Sequence, residues 1–120
     1  MAGQVVHLEI PSDDTAKARE FWGGLFGWTF EQYPGPTEYH MTRISEQTGA
    51  AISAEPGTRP RVYFDVDDIQ AGAARVKELG GEADDPMPVP GMGWFVVCKD
   101  GEANEFGLWQ SDPSAPTPES

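Results

Sequence analysis

The sequence has a single cysteine, Cys98, and no long apolar run. One cysteine cannot form an internal disulfide, which favours a reducing compartment such as the cytoplasm. The longest apolar runs, such as the one from Trp94 to Cys98, hold only a few residues, whereas a membrane-spanning helix needs about 20. No basic start is followed by an apolar stretch, so no signal peptide is indicated. We therefore expect a cytoplasmic protein that does not enter a membrane.

Basic residues are also scarce. The chain has 8 Lys and Arg against 20 Asp and Glu, which gives a formal net charge of −12 at pH 7. Nucleic-acid backbones and anionic lipids repel such a surface, so we expect neither as a partner. A cationic or neutral small molecule remains electrostatically acceptable, although solubility alone also explains the charge.

What the sequence does contain is enough apolar surface for one domain, since 38% of its 120 residues are hydrophobic. Two segments of the chain show the same order of one strand, one helix and three strands. Alternation predicts strands at residues 5–10 and 61–66, and apolar residues three and four apart predict helices at 16–25 and 69–79. We expect the apolar stripe of the first helix to face the core; it consists of Ala18, Phe21, Trp22 and Leu25. Further strands are predicted at residues 28–33, 39–44, 50–54, 82–87, 94–98 and 105–110.

The two segments superpose without a gap when the chain is shifted by 54 residues, and their helix caps, helix stops and proline turns then coincide in order. A repeat this short does not bury its sheet face alone, so the segments are expected to pair around one core, either within one chain or between two. We place one domain at residues 1–110, with modules at about 4–54 and 58–110. The last ten residues, 111–120, hold three prolines and predict a disordered tail.

One face of the predicted strands, opposite the helices, carries polar and aromatic side chains. If the strands curl, this face lines a cleft with aromatic walls and a few polar anchors, which is typical of a small-molecule site. The alternative is an ordinary solvated sheet face. The side chains concerned are His7, Glu9, Arg61, Tyr63, Glu105 and Trp109, with Gly107 between the last two.

Several stretches of the sequence resemble the vicinal oxygen chelate superfamily, which includes glyoxalase I, the bleomycin-resistance proteins and the extradiol dioxygenases. The resemblance covers about residues 4–110 and is carried by VVHLEI, FWGGLFGW, RVYFDVDDIQAGAARVKELGGE and NEFGLWQ. It implies an α+β fold in which two βαβββ modules form a cupped mixed sheet around a ligand cavity. It also implies a homodimer.

The resemblance further implies four positions for a divalent metal, one on the first strand and one on the last strand of each module. These positions hold His7, Ser53, Arg61 and Gly107. Only His7 is a competent ligand, because a serine is a poor one, a guanidinium repels cations and glycine has no side chain. We therefore expect no metal cofactor. A displaced site formed by His7, Glu9 and Glu105 is the alternative.

The candidate ligand-binding residues each have an ordinary structural alternative. His7 can anchor a ligand or carry a proton, or it can be a neutral histidine satisfied locally. Arg61 can clamp a carboxylate or phosphate, or it can form an ion pair with Glu9 or Glu105. Aromatic side chains can stack on a planar ligand or pack as walls, and Trp94 follows a glycine-rich loop that can close over the cleft. The full predicted set is His7, Glu9, Ser53, Arg61, Tyr63, Trp94, Glu105 and Trp109.

Three other residue types carry weaker expectations. His40 has no recognisable partner and is predicted to be a surface or packing residue. Trp22 and Trp28 flank the end of the first helix and are predicted to lie in the core. Cys98 ends an apolar strand, so we expect it to be buried and inert.

These residues predict a bleomycin-resistance-like protein that binds and sequesters or carries a small organic molecule without a metal. Two other functions remain open at this point. The chain can be a metal-independent or displaced-metal enzyme, such as a lyase, an isomerase or a dioxygenase-like protein. It can also be an interaction module whose cavity has lost its use.

Overall fold

The computed structural model describes residues 3–35, 37–55 and 59–117. The predicted order of elements is confirmed, except that two short strands replace the one predicted at residues 82–87. The strand predicted at 28–33 shortens to two residues. The first module consists of β1 (Val5–Pro11), α1 (Thr15–Phe26), β2 (Glu31–Gln32), β3 (Tyr39–Arg43) and β4 (Gly49–Ser53). The second consists of β5 (Arg61–Asp65), α2 (Ile69–Glu78), β6 (Glu82–Ala83), β7 (Met87–Val89), β8 (Gly93–Lys99) and β9 (Glu105–Ser111).

The chain divides into two compact units. The first unit is His7–Val62, and the second takes in the described residues up to Val6 and from Tyr63 onward. No helix in residues 3–35, 37–55 and 59–117 is both long and apolar enough to cross a membrane.

In the first unit the strands lie in the order β2-β3-β4-β1. The central strand β4 is buried along its whole length and pairs with β1 in parallel and with β3 antiparallel. Helix α1 begins after Asp14, whose carboxylate accepts a hydrogen bond from the Lys17 N–H, and ends at Gly27 in the left-handed region with φ of +74°. An acidic cap before the helix and a glycine after it agree with the helix caps and stops predicted from the sequence.

In the second unit the strands lie in the order β5-β9-β8-β6, and β7 also pairs with β8. Strands β5 and β9 are parallel. Helix α2 begins after Asp68, which accepts a hydrogen bond from the Ala71 N–H, and the Gln110 side chain accepts another from the Ile69 N–H. The helix packs on one face of the sheet around a core of Ile69, Ala73, Val96, Cys98 and Leu108.

The predicted orientation of α1 is correct only in part. Ala18 and Trp22 are half-buried, but Phe21 and Leu25 are 62% and 58% exposed instead of facing the core. The buried residue of this helix is Thr15, whose hydroxyl donates to the Glu38 carboxylate, so the helix turns that face inward. Trp22 and Trp28, predicted in the core, are half-buried and stack on each other with ring centroids 5.8 Å apart.

The predicted start of the disordered tail at Ser111 is too early. Ser111 is the last residue of β9, and the Trp94 indole N–H donates to the Asp112 carboxylate at 3.0 Å. Ala115 is only 6% exposed, and its carbonyl accepts a hydrogen bond from the Gly91 N–H. Specific contacts therefore continue past the last strand despite the proline-rich composition. Residues 118–120 lie outside the described residues.

Candidate functional site

Four polar side chains of the first unit are joined by hydrogen bonds into one continuous chain. The His7 Nε2 atom lies 2.7 Å from the Tyr39 hydroxyl, and that hydroxyl donates to Glu9 Oε2 at 2.8 Å. Arg61 Nη1 donates to Glu9 Oε1 at 2.9 Å. We call this set of His7, Tyr39, Glu9 and Arg61 the polar chain. The sequence analysis missed Tyr39, because nothing local indicates that β3 brings it to residues of β1.

Strand geometry explains how the polar chain forms. His7 and Glu9 are two residues apart on β1, so their side chains share one face. The predicted ion pair between Arg61 and Glu9 is confirmed, and the two side chains are only 14% and 17% exposed. Two largely buried charges are costly unless they are paired and hydrogen-bonded, and both conditions hold here.

The hydrogen bonds also define the tautomer of His7. The Tyr39 hydroxyl has one proton and donates it to Glu9, so its oxygen accepts from His7. The proton of the neutral imidazole is therefore on Nε2, and the lone pair is on Nδ1.

The surroundings of His7 keep the imidazole neutral. Its pKa is lowered from 6.5 to about 4, chiefly by burial and secondly by the positive charge of Arg43. The residue paired with His7 on β4 is Gly49, so no acidic side chain on that strand stands beside the ring. A Cβ atom at Gly49 would lie 3.5 Å from His7 Nδ1 and 3.6 Å from Arg43 Nη1.

The structure does not bring Ser53 to His7. In the parallel register of β1 and β4, Ser53 is paired with Pro11, four residues along the strand from Gly49. Four residues correspond to about 13 Å of strand. The metal positions carried over from the resemblance are therefore not neighbours in this module.

Ser53 instead lines a cleft with an empty volume of about 180 Å³. Its side chain is 2% exposed, and no described residue lies within hydrogen-bonding distance of its hydroxyl oxygen. The cleft is also next to the polar chain, because Glu9 and Arg61 belong to both. The remaining lining residues are Pro11, Glu55 and Arg59.

In the second unit, the aromatic face has little room for another side chain. Gly107 is paired with Tyr63 rather than with Arg61. A Cβ atom at Gly107 would lie 2.2 Å from the ring of Tyr63, which is 4% exposed and meets Phe95 edge to face. The space at position 107 is therefore filled by the tyrosine ring.

Trp109 lies on the same face of β9 as Gly107. Its half-buried ring covers Gly93, and its indole N–H donates to the Ser111 hydroxyl at 3.1 Å. Glu105 is exposed at the first residue of β9, where it is paired with Lys99.

Trp94 is on the opposite face of the second unit's sheet, with the α2 core. Its bond to Asp112 holds the indole there, so it is not part of the aromatic face that carries Tyr63 and Trp109. The position of this side chain is therefore set by its bond to Asp112 and not by a loop that closes over a cleft. Trp94 is on this face because it continues the alternation of β8, which places it beside Val96.

The prediction for His40 was incomplete. His40 is 6% exposed and donates to Glu38 Oε2 at 3.0 Å, so it has a partner that the sequence did not reveal. The pKa of Glu38 is lowered, first by the hydrogen bond from Thr15 and then by that from His40. This cluster fixes α1 on β3 and accounts for the burial of a histidine.

The donor groups described here do not fit a divalent metal. No group of three or more His, Cys, Asp or Glu side chains that could hold one is found among residues 3–35, 37–55 and 59–117. His7 faces the guanidinium of Arg43, and both oxygens of Glu9 are already bonded. A guanidinium beside the only imidazole of the polar chain opposes the approach of a cation.

The family model for the glyoxalase-like domain matches residues 5–109. The chain belongs to the glyoxalase-like domain family. The anthracycline biosynthesis protein DnrV of Streptomyces peucetius is 30% identical to it, over 90% of this chain and 47% of that protein. The putative glyoxylase CFP32 of Mycobacterium tuberculosis is 27% identical, over 88% of this chain and 44% of that protein. The chain thus spans about half the length of these curated relatives.

Solved structures confirm the α+β fold class with two βαβββ modules and a mixed sheet. A methylmalonyl-CoA epimerase of Streptomyces coelicolor, in complex with 2-nitronate-propionyl-CoA, has a TM-score of 0.78 at 14% identity. The alignment covers 98% of this chain and 100% of that one. A hypothetical protein of Bacillus halodurans has a TM-score of 0.77 at 12% identity, over 96% and 99% of the two chains. At these identities the likeness concerns the fold of this glyoxalase-like domain.

Proposed function

We propose that this glyoxalase-like domain binds a small organic molecule through the polar chain, without a metal. The observation that carries the proposal is the unbroken set of hydrogen bonds from His7 through Tyr39 and Glu9 to Arg61. Each group in it is fixed by its neighbour, so the chain offers preorganised donors and acceptors beside a cleft. Sequestration or carriage of the molecule needs no further chemistry.

The metal-free part of the proposal is supported by three of the four positions that the resemblance assigns to metal ligands. Arg61 is a cation paired with Glu9, Ser53 lies opposite Pro11, and position 107 is closed by a tyrosine ring. Only the first-strand histidine remains, and its lone pair faces a positive field. One neutral imidazole is not enough to hold a divalent ion.

The relatives support an organic ligand. DnrV is named for anthracycline biosynthesis, and the Streptomyces coelicolor epimerase holds a propionyl-CoA derivative. The names of these proteins guide the choice of probes. The hydrogen-bonding groups of the polar chain indicate which polar groups a ligand needs. A molecule that carries hydrogen-bonding groups on an aromatic body fits these groups best.

A second candidate function is metal-independent catalysis by proton transfer. It is favoured by the neutral state of His7 and by its bond to Tyr39, because these groups form a path for a proton toward Glu9. A lyase or isomerase reaction fits such a path. NMR spectroscopy and chiral chromatography of a bound compound after incubation separate the two functions, since carriage returns the compound unchanged, whereas a lyase changes its composition and an isomerase its connectivity or configuration.

The hydroxyl of Tyr39 is expected to be needed for binding. In Tyr39→Phe the ring stays, but the link between His7 and Glu9 is lost, so ligand affinity should fall by about tenfold. The measurement is isothermal titration of compounds found by a thermal-shift screen of aromatic carboxylates, cationic aromatic drugs and an anthracycline. Tyr33→Phe is the matched control, because the Tyr33 ring contacts Tyr39 edge to face but is outside the polar chain. Unchanged affinity in Tyr39→Phe would contradict the proposal.

We also propose that two copies of this chain form a homodimer through the exposed apolar face of α1. Phe21, Leu25 and Phe26 on this helix are 62%, 58% and 56% exposed. The curated relatives are about twice as long as the matched stretch, so a second copy is the partner that restores a comparable length. An apolar cluster of this kind is typical of an interaction surface.

The dimer is expected to dissociate when a charge is placed on this face. Leu25→Glu should move the mass measured by analytical ultracentrifugation from that of a dimer to that of a monomer, with little loss of stability because the site is exposed. Leu79→Glu is the control, since Leu79 follows α2, is 68% exposed and corresponds to Leu25 in the repeat. A wild-type monomer, or a Leu25→Glu dimer, would count against this interface.

We propose the cytoplasm as the location of the protein. Its only cysteine, Cys98, is buried as predicted, and burial with a second contribution from Asp84 raises the thiol pKa to about 11. A thiol of this kind stays protonated and unreactive at neutral pH. No disulfide within the chain is available to it.

A further inference from the structure

The cleft at the end of β4 contains a buried hydroxyl without a bond, which calls for a physical explanation. Ser53 is 2% exposed, and no described side chain or backbone group is within hydrogen-bonding distance of its oxygen. Buried polar groups nearly always have a hydrogen-bond partner, because an unpaired group loses its hydrogen bonds to water and gains none in the protein. Since Ser53 lines a cleft, the missing partner can come from a bound molecule.

The charges around this cleft indicate the kind of group that Ser53 meets. Three of the eight basic residues of the chain, Arg43, Arg59 and Arg61, are on the first unit near the polar chain or its cleft, although the protein carries a net charge of −12. Arg59 and Arg61 line the cleft itself. The Glu9 carboxylate, which also lines it, is bonded through both oxygens to Tyr39 and Arg61. The second acid of the lining, Glu55, is exposed to solvent. Within the cleft, a bound cation would therefore meet two guanidinium groups beside a Glu9 carboxylate whose oxygens are already bonded.

The size of the cleft limits what it accepts. The cleft is open to solvent, and its empty space of about 180 Å³ includes this open part, so the cleft does not enclose a whole drug-sized ligand. A larger molecule can place at most one small group in it. Arg61 is held by Glu9 and is preorganised, whereas Arg59 is exposed at the edge of the cleft.

We infer that this cleft is a subsite for a carboxylate group, which accepts a hydrogen bond from Ser53 and is attracted by Arg59 and Arg61. The inference rests on the proposed function, in which the same molecule contacts the polar chain with its other polar groups. It narrows the ligand to small organic acids. The rest of the acidic surface repels such acids, so recognition depends on this local cluster of basic residues.

The test compares three probes of nearly equal shape: benzoate, the neutral benzamide and the cationic benzylamine. By isothermal titration, the wild-type protein should bind benzoate at least tenfold more tightly than either of the others. Ser53→Ala should weaken benzoate binding about fivefold, and Arg59→Gln about fivefold with a smaller dependence on salt. Inorganic phosphate is a further probe, and tighter binding of phosphate than of benzoate would overturn the assignment to a carboxylate.

Two controls separate a binding role from a structural one. Ser53→Ala should keep or raise the melting temperature, because it removes a buried hydroxyl that has no described partner. A lower melting temperature would mean that the hydroxyl serves the fold, and the subsite would be overturned. Arg75→Gln removes an exposed cation from α2 and should leave benzoate binding unchanged.

The outcomes also distinguish this inference from the proposed function. If the three probes bind equally and Ser53→Ala has no effect, while Tyr39→Phe still weakens all of them, the subsite is wrong and the proposed function stands. If none of the three probes binds, the carboxylate subsite is overturned. The proposed function then depends on the wider screen, and it fails if that screen finds no ligand either.

Discussion

Gly107→Ala is expected to lower the free energy of unfolding by about 3 kcal/mol, measured by urea denaturation followed through tryptophan fluorescence. The added methyl group would lie 2.2 Å from a ring carbon of Tyr63, well inside van der Waals contact. The ring is 4% exposed and packs against Phe95, so it has little room to move away. The clash must therefore be relieved by displacing β5 or β9.

Two controls test whether the ring is the cause. Gly24→Ala adds the same methyl group to α1, where nothing lies within 4 Å, and should be neutral or stabilise by up to about 1 kcal/mol. In a Tyr63→Ala background, the cost of Gly107→Ala should fall by at least about 1 kcal/mol. A Gly107→Ala variant as stable as the wild type would show that the tyrosine ring does not fill this space.

This packing bears on the metal as well as on stability. The resemblance places a metal ligand at position 107, and the absence of a side chain there is matched by a tyrosine ring in the same space. Restoring an acid by Gly107→Glu would therefore displace Tyr63 before it could coordinate an ion. Position 107 of the second module thus holds no donor group, and an aromatic ring occupies its space.

The order of the elements was predictable because its signals are local. Alternation in β1 and β5 and the caps at Asp14, Asp68 and Gly27 depend on residues close in sequence, and the structure keeps them. The caps and turns of the two modules also coincide at a spacing of 54 residues, so each module supported the prediction for the other. The ion pair of Arg61 with Glu9 was one of the alternatives because both residues were placed on the same face.

The sequence could not predict the pairing register of the strands or which face of α1 turns inward. The partner of His7 on β4 is Gly49 and not Ser53, which depends on how two strands 42 residues apart align. The hydroxyl of Tyr39 joins the polar chain through the same alignment. Helix α1 turns Thr15 inward, where its hydroxyl donates to Glu38, and leaves Phe21 exposed, which the apolar stripe alone did not predict.

The stability of the protein is expected to fall by about 3 kcal/mol between pH 6.5 and pH 4, because of His7. Its pKa is about 4 in the folded protein, whereas the ordinary value is 6.5, so the unfolded chain binds a proton first as the pH falls. The stabilisation is complete above pH 6.5 and is lost progressively down to pH 4. The measurement is the urea midpoint at half-unit steps of pH.

A His7→Gln variant, which cannot titrate, should show a much flatter profile in this window. Carboxylates with lowered pKa values, such as Glu38, Asp100 and Asp112, begin to lose their contribution as the pH falls toward their ordinary values of 4.5 and 3.8, and the His7→Gln profile shows how large their share is. An unchanged slope in His7→Gln would mean that another group titrates. If the slope does disappear, the imidazole is neutral throughout the physiological range. His7 then enters any ligand complex as a hydrogen-bonding group rather than as a cation, and the positive charge at this site comes from the arginines.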